Sequence, residues 1–120
     1  MVEEVADPAG VHLVAELIDR LVAREPHLDG LFCSGDAYAM AAVFACQRRD
    51  WEVLRRIAVA GIGDAPMASL MTPALTTAEV PGYEIGVKAG EMLNTRLAGR
   101  RIKKRSVDMG FKVVIRESVG

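Results

Sequence analysis

Apolar positions along this chain alternate between helical spacing and short continuous runs. Helical spacing behind Asp7 and Pro8, an N-cap residue followed by a first-turn proline, predicts a helix from Pro8 to Arg24. Leu28–Cys33 and Ile57–Ile62 are apolar runs typical of buried strands, and the alanine-rich segment Gly35–Arg49 between them predicts a helix. A strand, a helix and a second strand in this order predict a parallel, right-handed crossover unit.

The second half of the chain continues the same alternation. Leu75–Val80 predicts a third strand of undetermined direction, and Tyr83–Leu97 predicts a helix that ends at Gly99. Ser106–Met109 and Lys112–Arg116 are extended segments separated by a glycine, and they predict one long strand with a bend. Because no repeat or linker interrupts this pattern, it predicts an α/β fold in which helices flank a mostly parallel sheet.

Composition narrows the possible functions. Apolar residues make up 51% of the chain, charged residues 26%, and the net charge is -1, so the basic excess typical of a DNA-binding domain is missing. The densest basic run, Arg100–Arg105, is typical of a solvated loop. Cys33 and Cys46 fit two buried thiols, and no metal-ligand spacing is present. The chain carries neither a bilayer-length apolar run nor a signal-type N-terminus, which favours a cytoplasmic location and no membrane partner.

Small and acidic residues follow the first two predicted strands and define a candidate ligand site. Ligands of open parallel sheets bind outside the carboxyl ends of the strands. The candidate ligand-binding residues are therefore Ser34, Gly35, Asp36, Gly63 and Asp64. Asp36 could also complement the dipole of the helix that it begins, a role compatible with ligand binding, and Asp64 could instead form an Asx turn before Pro66.

Two motifs that would indicate catalysis or a cofactor are incomplete. Gly61 and Gly63 resemble the start of a dinucleotide fingerprint, but Pro66 stands where the third glycine belongs and no long helix follows. Ser34 lacks the flanking glycines of a nucleophile elbow, since Phe32 and Asp36 occupy those positions. The sequence therefore predicts no catalytic residues and no cofactor.

Five ordered motifs resemble the C-terminal part of a lac-repressor-type (LacI family) transcriptional regulator. Two of them are the strand ends: Leu28–Asp36 resembles the family's D-A-V-F-C-x-N-D element, and Val59–Asp64 resembles its V-x-G-[FY]-[DG]-[DN] turn. Three more follow at the right spacing: Pro73–Thr77 for P-x-L-T-T, Gly86–Ala89 for G-x-x-A, and Val114–Ser118 for V-x-R-x-S. Together they span nearly the whole chain.

The resemblance implies a periplasmic-binding-protein-like effector domain that binds a small sugar and performs no chemistry. It also implies that residues 1–120 are the C-terminal portion of that domain, with the first subdomain and the helix-turn-helix outside the chain, so that DNA would be bound only through the latter. Gly35 and Gly63 depart from polar family positions, and the Gly-Asp turn with Ser106–Phe111 looks most like the gluconate-repressor branch. A sugar acid or phosphorylated sugar is the expected effector, and the cations that would pair with it are expected elsewhere.

The resemblance further implies a homodimer. The expected dimer interface consists of Leu13, Leu17, Phe44, Met67, Leu70 and Met71. The apolar stripe of the last helix, which includes Ile85 and Leu93, would lack its normal cover and form a second self-associating surface. Two other classes of protein remain open: a small α/β enzyme acting on a sugar or nucleotide, and a trimmed periplasmic sugar receptor.

Overall fold

The computed structural model describes residues 10–102 and 104–120. They form two compact units. The first contains the described residues up to Glu79 together with Val113–Gly120, and the second is Val80–Lys112. The proposed cap at Asp7 and Pro8 lies outside the described residues.

Three helices and four strands agree with the predicted element order. The helices are α1 (Val14–Arg24), preceded by a 3-10 turn at Gly10–Leu13, α2 (Asp36–Gln47) and α3 (Gly82–Leu97). The strands are β1 (Gly30–Phe32), β2 (Ala58–Ile62), β3 (Thr76–Glu79) and β4 (Lys112–Val114), and a second 3-10 turn spans Pro66–Ser69. The α/β prediction is confirmed, but the strands are shorter than their apolar runs.

The strands form one sheet in the order β1-β2-β3-β4. β1 pairs with β2 in parallel, with Leu31 opposite Val59. β2 pairs with β3 in parallel, with Gly61 opposite Thr77, which settles the direction of the third strand. Parallel pairing brings the carboxyl ends of these three strands to one edge of the sheet.

The first half of the last predicted strand is absent. Ser106–Met109 has no strand structure, and β4 begins only at Lys112. Gly110 separates the two segments with a φ of 71°, and its N–H donates to Asp108 Oδ1 over 2.8 Å. This local turn satisfies the backbone by a side chain instead of a neighbouring strand, so the prediction of one long bent strand is wrong.

Alanines on one face of α2 allow this helix to lie close to the sheet. Ala39 and Ala42 are fully buried on the face of α2 that packs near β2. A Cβ at Gly61 would collide with Asp36 and would meet the Ala39 Cβ at 3.1 Å. Small residues on both sides of this contact therefore set the position of α2, including its first residue, Asp36.

Helix α3 contributes no residue to the buried core, because none of its residues is buried. It ends at Leu97, and Gly99 shortly after it has a φ of 71°, the left-handed conformation typical of the residue that follows a helix, as predicted. Leu93 and Leu97 are 57% and 75% exposed, so the apolar stripe predicted for this helix is largely exposed to solvent.

Candidate functional site

The turn after β2 has a backbone shape that few residues adopt. Gly63 has a φ of 129° and Asp64 a φ of 51°, both in the positive region that side chains with a Cβ disfavour. Glycine adopts this region without steric cost, and Asp is among the residues that tolerate its left-handed part. The Gly63 N–H also donates to the Ala78 carbonyl over 2.9 Å, which fixes the turn against β3.

The Asp36 carboxylate connects the beginning of α2 to the turns around it. Asp36 is 4% exposed. Its Oδ1 accepts a 2.6 Å hydrogen bond from the Thr77 hydroxyl, and its Oδ2 accepts one of 2.7 Å from the Ala65 N–H. Both carboxylate oxygens are therefore engaged within the protein, so the contacts that the structure shows for Asp36 hold the edge of the site in place.

Thr77 links the two acidic residues. While its hydroxyl donates to Asp36, its Oγ1 also accepts the Asp64 N–H over 3.3 Å. Asp36 and Asp64, which follow different strands, thus lie on the same edge of the sheet, as the parallel topology predicts. The Asx-turn alternative proposed for Asp64 has no hydrogen bond in the structure to support it, since its carboxylate makes the contact described next.

Asp64 forms an ion pair with Arg116. Arg116 Nη2 lies 2.7 Å from Asp64 Oδ1, and Nη1 donates to the Leu75 carbonyl over 2.9 Å. Both side chains are mostly buried, at 18% and 25% exposed, which strengthens the attraction relative to a pair in open water. A cation from this chain therefore lies beside the candidate site, where it is paired with Asp64. Whether the cations that meet an anionic ligand lie elsewhere, as the sequence predicts, stays a prediction.

The remaining predicted residues surround this network with small groups. Ser34 and Gly63 are exposed, and Gly35 is half-buried. Sequence reasoning missed Thr77 and Arg116 as site residues. Both lie in motifs that resemble the LacI family, P-x-L-T-T and V-x-R-x-S. Nothing in these motifs indicates that Thr77 and Arg116 contact the acidic residues at the strand ends.

The C-terminal tail holds Arg116 in position. Ser118 is fully buried, and its hydroxyl accepts the Thr76 N–H over 2.8 Å and donates to the Val59 carbonyl over 2.6 Å. The Arg116 N–H donates to the Thr76 hydroxyl over 2.8 Å. Hydrogen bonds to both β2 and β3 therefore fix the tail that carries the guanidinium group.

The two cysteine thiols of the chain are not activated by their surroundings. Burial, together with the neighbouring Cys46, raises the pKa of the Cys33 thiol to about 11, so Cys33 is a poor nucleophile at neutral pH. Burial also raises the pKa of Cys46. Within residues 10–102 and 104–120, no group of three or more His, Cys, Asp or Glu side chains is arranged to hold a metal ion.

The fold and the ordered strand-end turns match a known domain. A family model described as a periplasmic binding protein-like domain matches residues 2–119, and the chain belongs to this family. Within it, the chain is similar to LacI-type regulators. The transcriptional regulator GntR of Pseudomonas aeruginosa is 36% identical over 111 residues, which cover 92% of this chain and 32% of that protein.

Solved structures give the same result. The transcription regulator GntR from Chromobacterium violaceum has a TM-score of 0.79 and 35% identity, and the match covers 93% of this chain and 41% of that one. A LacI family regulator from Arthrobacter in complex with lactose has a TM-score of 0.75 and 25% identity, with 92% and 41% covered. The chain spans about a third of the length of the first curated relative, whose name describes a transcriptional regulator and not an enzyme. No helix in the described residues is long and apolar enough to span a membrane.

Proposed function

We propose that this chain is the effector-sensing and dimerising C-terminal portion of a LacI-type transcriptional regulator. In this proposal the chain binds a small sugar or sugar acid and thereby controls DNA binding by a cytoplasmic full-length protein, through a helix-turn-helix domain outside residues 1–120. The network that joins Asp36, Thr77, Asp64 and Arg116 at the carboxyl edge of three parallel strands carries the proposal, because this edge is where open α/β sheets bind ligands. The lactose complex of a similar regulator supports a sugar as the ligand class.

The pairing of the carboxylates at the site permits an acidic effector. A bare carboxylate would repel an anion, but Asp64 is paired with Arg116 and the Asp36 carboxylate accepts two hydrogen bonds. Glycines at positions 35 and 63 leave space where polar side chains could otherwise contact a neutral sugar. A gluconate-like acid is therefore the proposed effector.

We expect the full-length protein to bind gluconate more tightly than lactose, by about tenfold or more, since a charge-assisted hydrogen bond is roughly twice as strong as a neutral one. Calorimetry measures both affinities directly. Asp64→Asn should increase the preference for gluconate because it removes the negative charge paired with Arg116. Asp29→Asn is the matched control, because it removes an exposed carboxylate that precedes β1, at the opposite end of this strand from the candidate site. Tighter binding of lactose than of gluconate would contradict the acidic effector and leave the sugar-sensing proposal intact.

Exposed apolar side chains support the proposed dimer interface. Phe44, Met67 and Leu70 are 50%, 56% and 73% exposed. The segment after the second 3-10 turn lies against the end of α2, since the Gln47 side chain donates to the Thr72 carbonyl over 2.7 Å. Leu13 and Met71 are half-buried, whereas Leu17 is buried in the chain and offers the least surface to a second copy.

Phe44→Glu should weaken self-association by about tenfold or more, because it places an unpaired charge in an apolar contact. Sedimentation velocity over a range of concentrations measures the change. Phe32→Glu is the control, since Phe32 is also an exposed phenylalanine, at 69%, but lies on β1 outside the proposed interface. Leu93→Glu tests the α3 stripe separately. Equal dimerisation by the original chain and by Phe44→Glu would rule out this interface.

A further inference from the structure

The helix C-terminus in the second compact unit gathers arginine side chains around one concave surface. Six of the ten residues from Arg96 to Arg105 are Lys or Arg, and none is acidic. Four of the arginines line a single pocket of about 400 Å³ together with Ile102: Arg96, Arg100, Arg101 and Arg105. We call this surface the arginine pocket. All of its lining residues belong to Val80–Lys112, whereas the proposed effector site belongs to the first unit.

Local backbone structure explains how these arginines converge. At the end of α3 the Gly99 N–H donates to the Arg96 carbonyl over 3.0 Å, and the Arg100 N–H donates to the Thr95 carbonyl over 3.1 Å. With Gly99 at a φ of 71°, this is the Schellman arrangement that reverses the chain after a helix. The reversal returns the residues after Gly99 toward the last turn of α3, where Arg96 lies. The described residues of the basic run are thus an exposed loop, as predicted, and its arginines share a pocket with Arg96.

The arginines of the pocket have no carboxylate partners within the part of the chain that the structure describes. The ion pairs of the described residues include those of Arg49, Arg55, Lys88 and Arg116, which all lie outside the pocket. The acids nearest in sequence to the pocket are Glu91, which pairs with Lys88, and Asp108, which accepts a backbone N–H. The partial negative charge at the end of α3 favours nearby cations but is equivalent to only about half an elementary charge. Four guanidinium groups at one pocket therefore favour binding of an anion that carries several charges.

We propose that the arginine pocket binds a small molecule bearing a diphosphate or longer phosphate chain. Guanidinium groups offer planar pairs of donors that match phosphate oxygens, and adjacent phosphates supply enough acceptors and charge for several arginines. The volume of about 400 Å³ is in the range of pockets that enclose small ligands. Nucleic acid is the less favoured ligand, because the chain has a net charge of -1 and its densest basic run, Arg100–Arg105, is only six residues long.

Inorganic pyrophosphate is the probe for the test. Calorimetry on the chain should show one pyrophosphate bound per chain, more tightly than orthophosphate. The double variant Arg100→Gln/Arg101→Gln should weaken pyrophosphate binding by about tenfold or more, since each charge-assisted contact contributes substantially. The control Arg20→Gln/Arg55→Gln removes the same charge from the first unit and should change the affinity by less than about twofold at about 0.15 M salt, where exposed distant charges are screened.

A third variant separates recognition of phosphate geometry from simple charge attraction. Arg96→Lys keeps the positive charge and removes the planar donor pair, so it should weaken pyrophosphate binding with little effect on the salt dependence. Circular dichroism establishes whether each variant is folded. The proposal is overturned if the original chain binds no pyrophosphate, if the pocket and control double variants lose equal affinity, or if duplex DNA binds more tightly than pyrophosphate at equal phosphate concentration. Gluconate binding is measured separately and fails or succeeds independently of these results.

Discussion

Replacing Asp36 with alanine should lower the free energy of unfolding by about 3 kcal/mol or more, because one buried and one part-buried donor would lose a charged acceptor at once. Those donors are the Thr77 hydroxyl and the Ala65 N–H, at 2.6 and 2.7 Å from the carboxylate. Urea denaturation followed by circular dichroism measures the loss. The same substitution should abolish effector binding, because the turns after β1 and β2 would no longer be joined.

A double-mutant cycle distinguishes this network from general damage to the core. Thr77→Val keeps the volume of the side chain and removes its hydroxyl, so it breaks the contact with Asp36 from the other side. If the two residues act through their hydrogen bond, the double variant should be more stable than the sum of the single losses implies, by about 0.5–3 kcal/mol. Purely additive losses would show that Asp36 and Thr77 stabilise the chain independently.

The order of the elements and the shared edge could be predicted from the sequence because both depend on local patterns. An apolar run followed by a glycine turn marks a strand end, and a helix between two such runs makes them parallel. Asp36 and Asp64 therefore converge as predicted. The partners of these acids could not be predicted, since Thr77 and Arg116 are 41 and 52 residues away from them along the chain and meet them only through the sheet.

The wrong strand at Ser106–Met109 has a similar cause. Its alternating residues fit a strand pattern, but a strand needs a neighbour with unpaired backbone groups. Here the Gly110 N–H is satisfied by the Asp108 side chain, two residues away. A short polar side chain that competes for the backbone next to a glycine is a signal that the sequence does contain, and it favours a turn over a strand.

The close packing of α2 against Gly61 could not be predicted from the sequence patterns either. Gly61 fits a strand and a glycine turn equally well in the sequence, yet its lack of a Cβ is required by the approach of α2. Alanines in α2 indicate helix propensity, and only the structure shows that they also bring Asp36 within reach of Thr77 and Ala65. The candidate site thus depends on small residues whose role is to leave space.

Replacing Ser118 with alanine should lower the free energy of unfolding by about 2 kcal/mol, because the hydroxyl is buried and both accepts and donates a hydrogen bond. The substitution should also weaken the attachment of the C-terminal tail to the sheet. The backbone of Ser118 holds this tail as well: the Val59 N–H donates to the Ser118 carbonyl and the Ser118 N–H donates to the Ala74 carbonyl, each over 3.0 Å. Urea denaturation measures the effect, with Ser69→Ala as the control: its hydroxyl donates over 3.2 Å at an exposed position. Equal stability losses for the two serines would show that burial of the Ser118 hydroxyl contributes nothing. Because Ser118 holds the tail that carries Arg116, Ser118→Ala should also weaken effector binding, whereas Ser69→Ala should leave it unchanged.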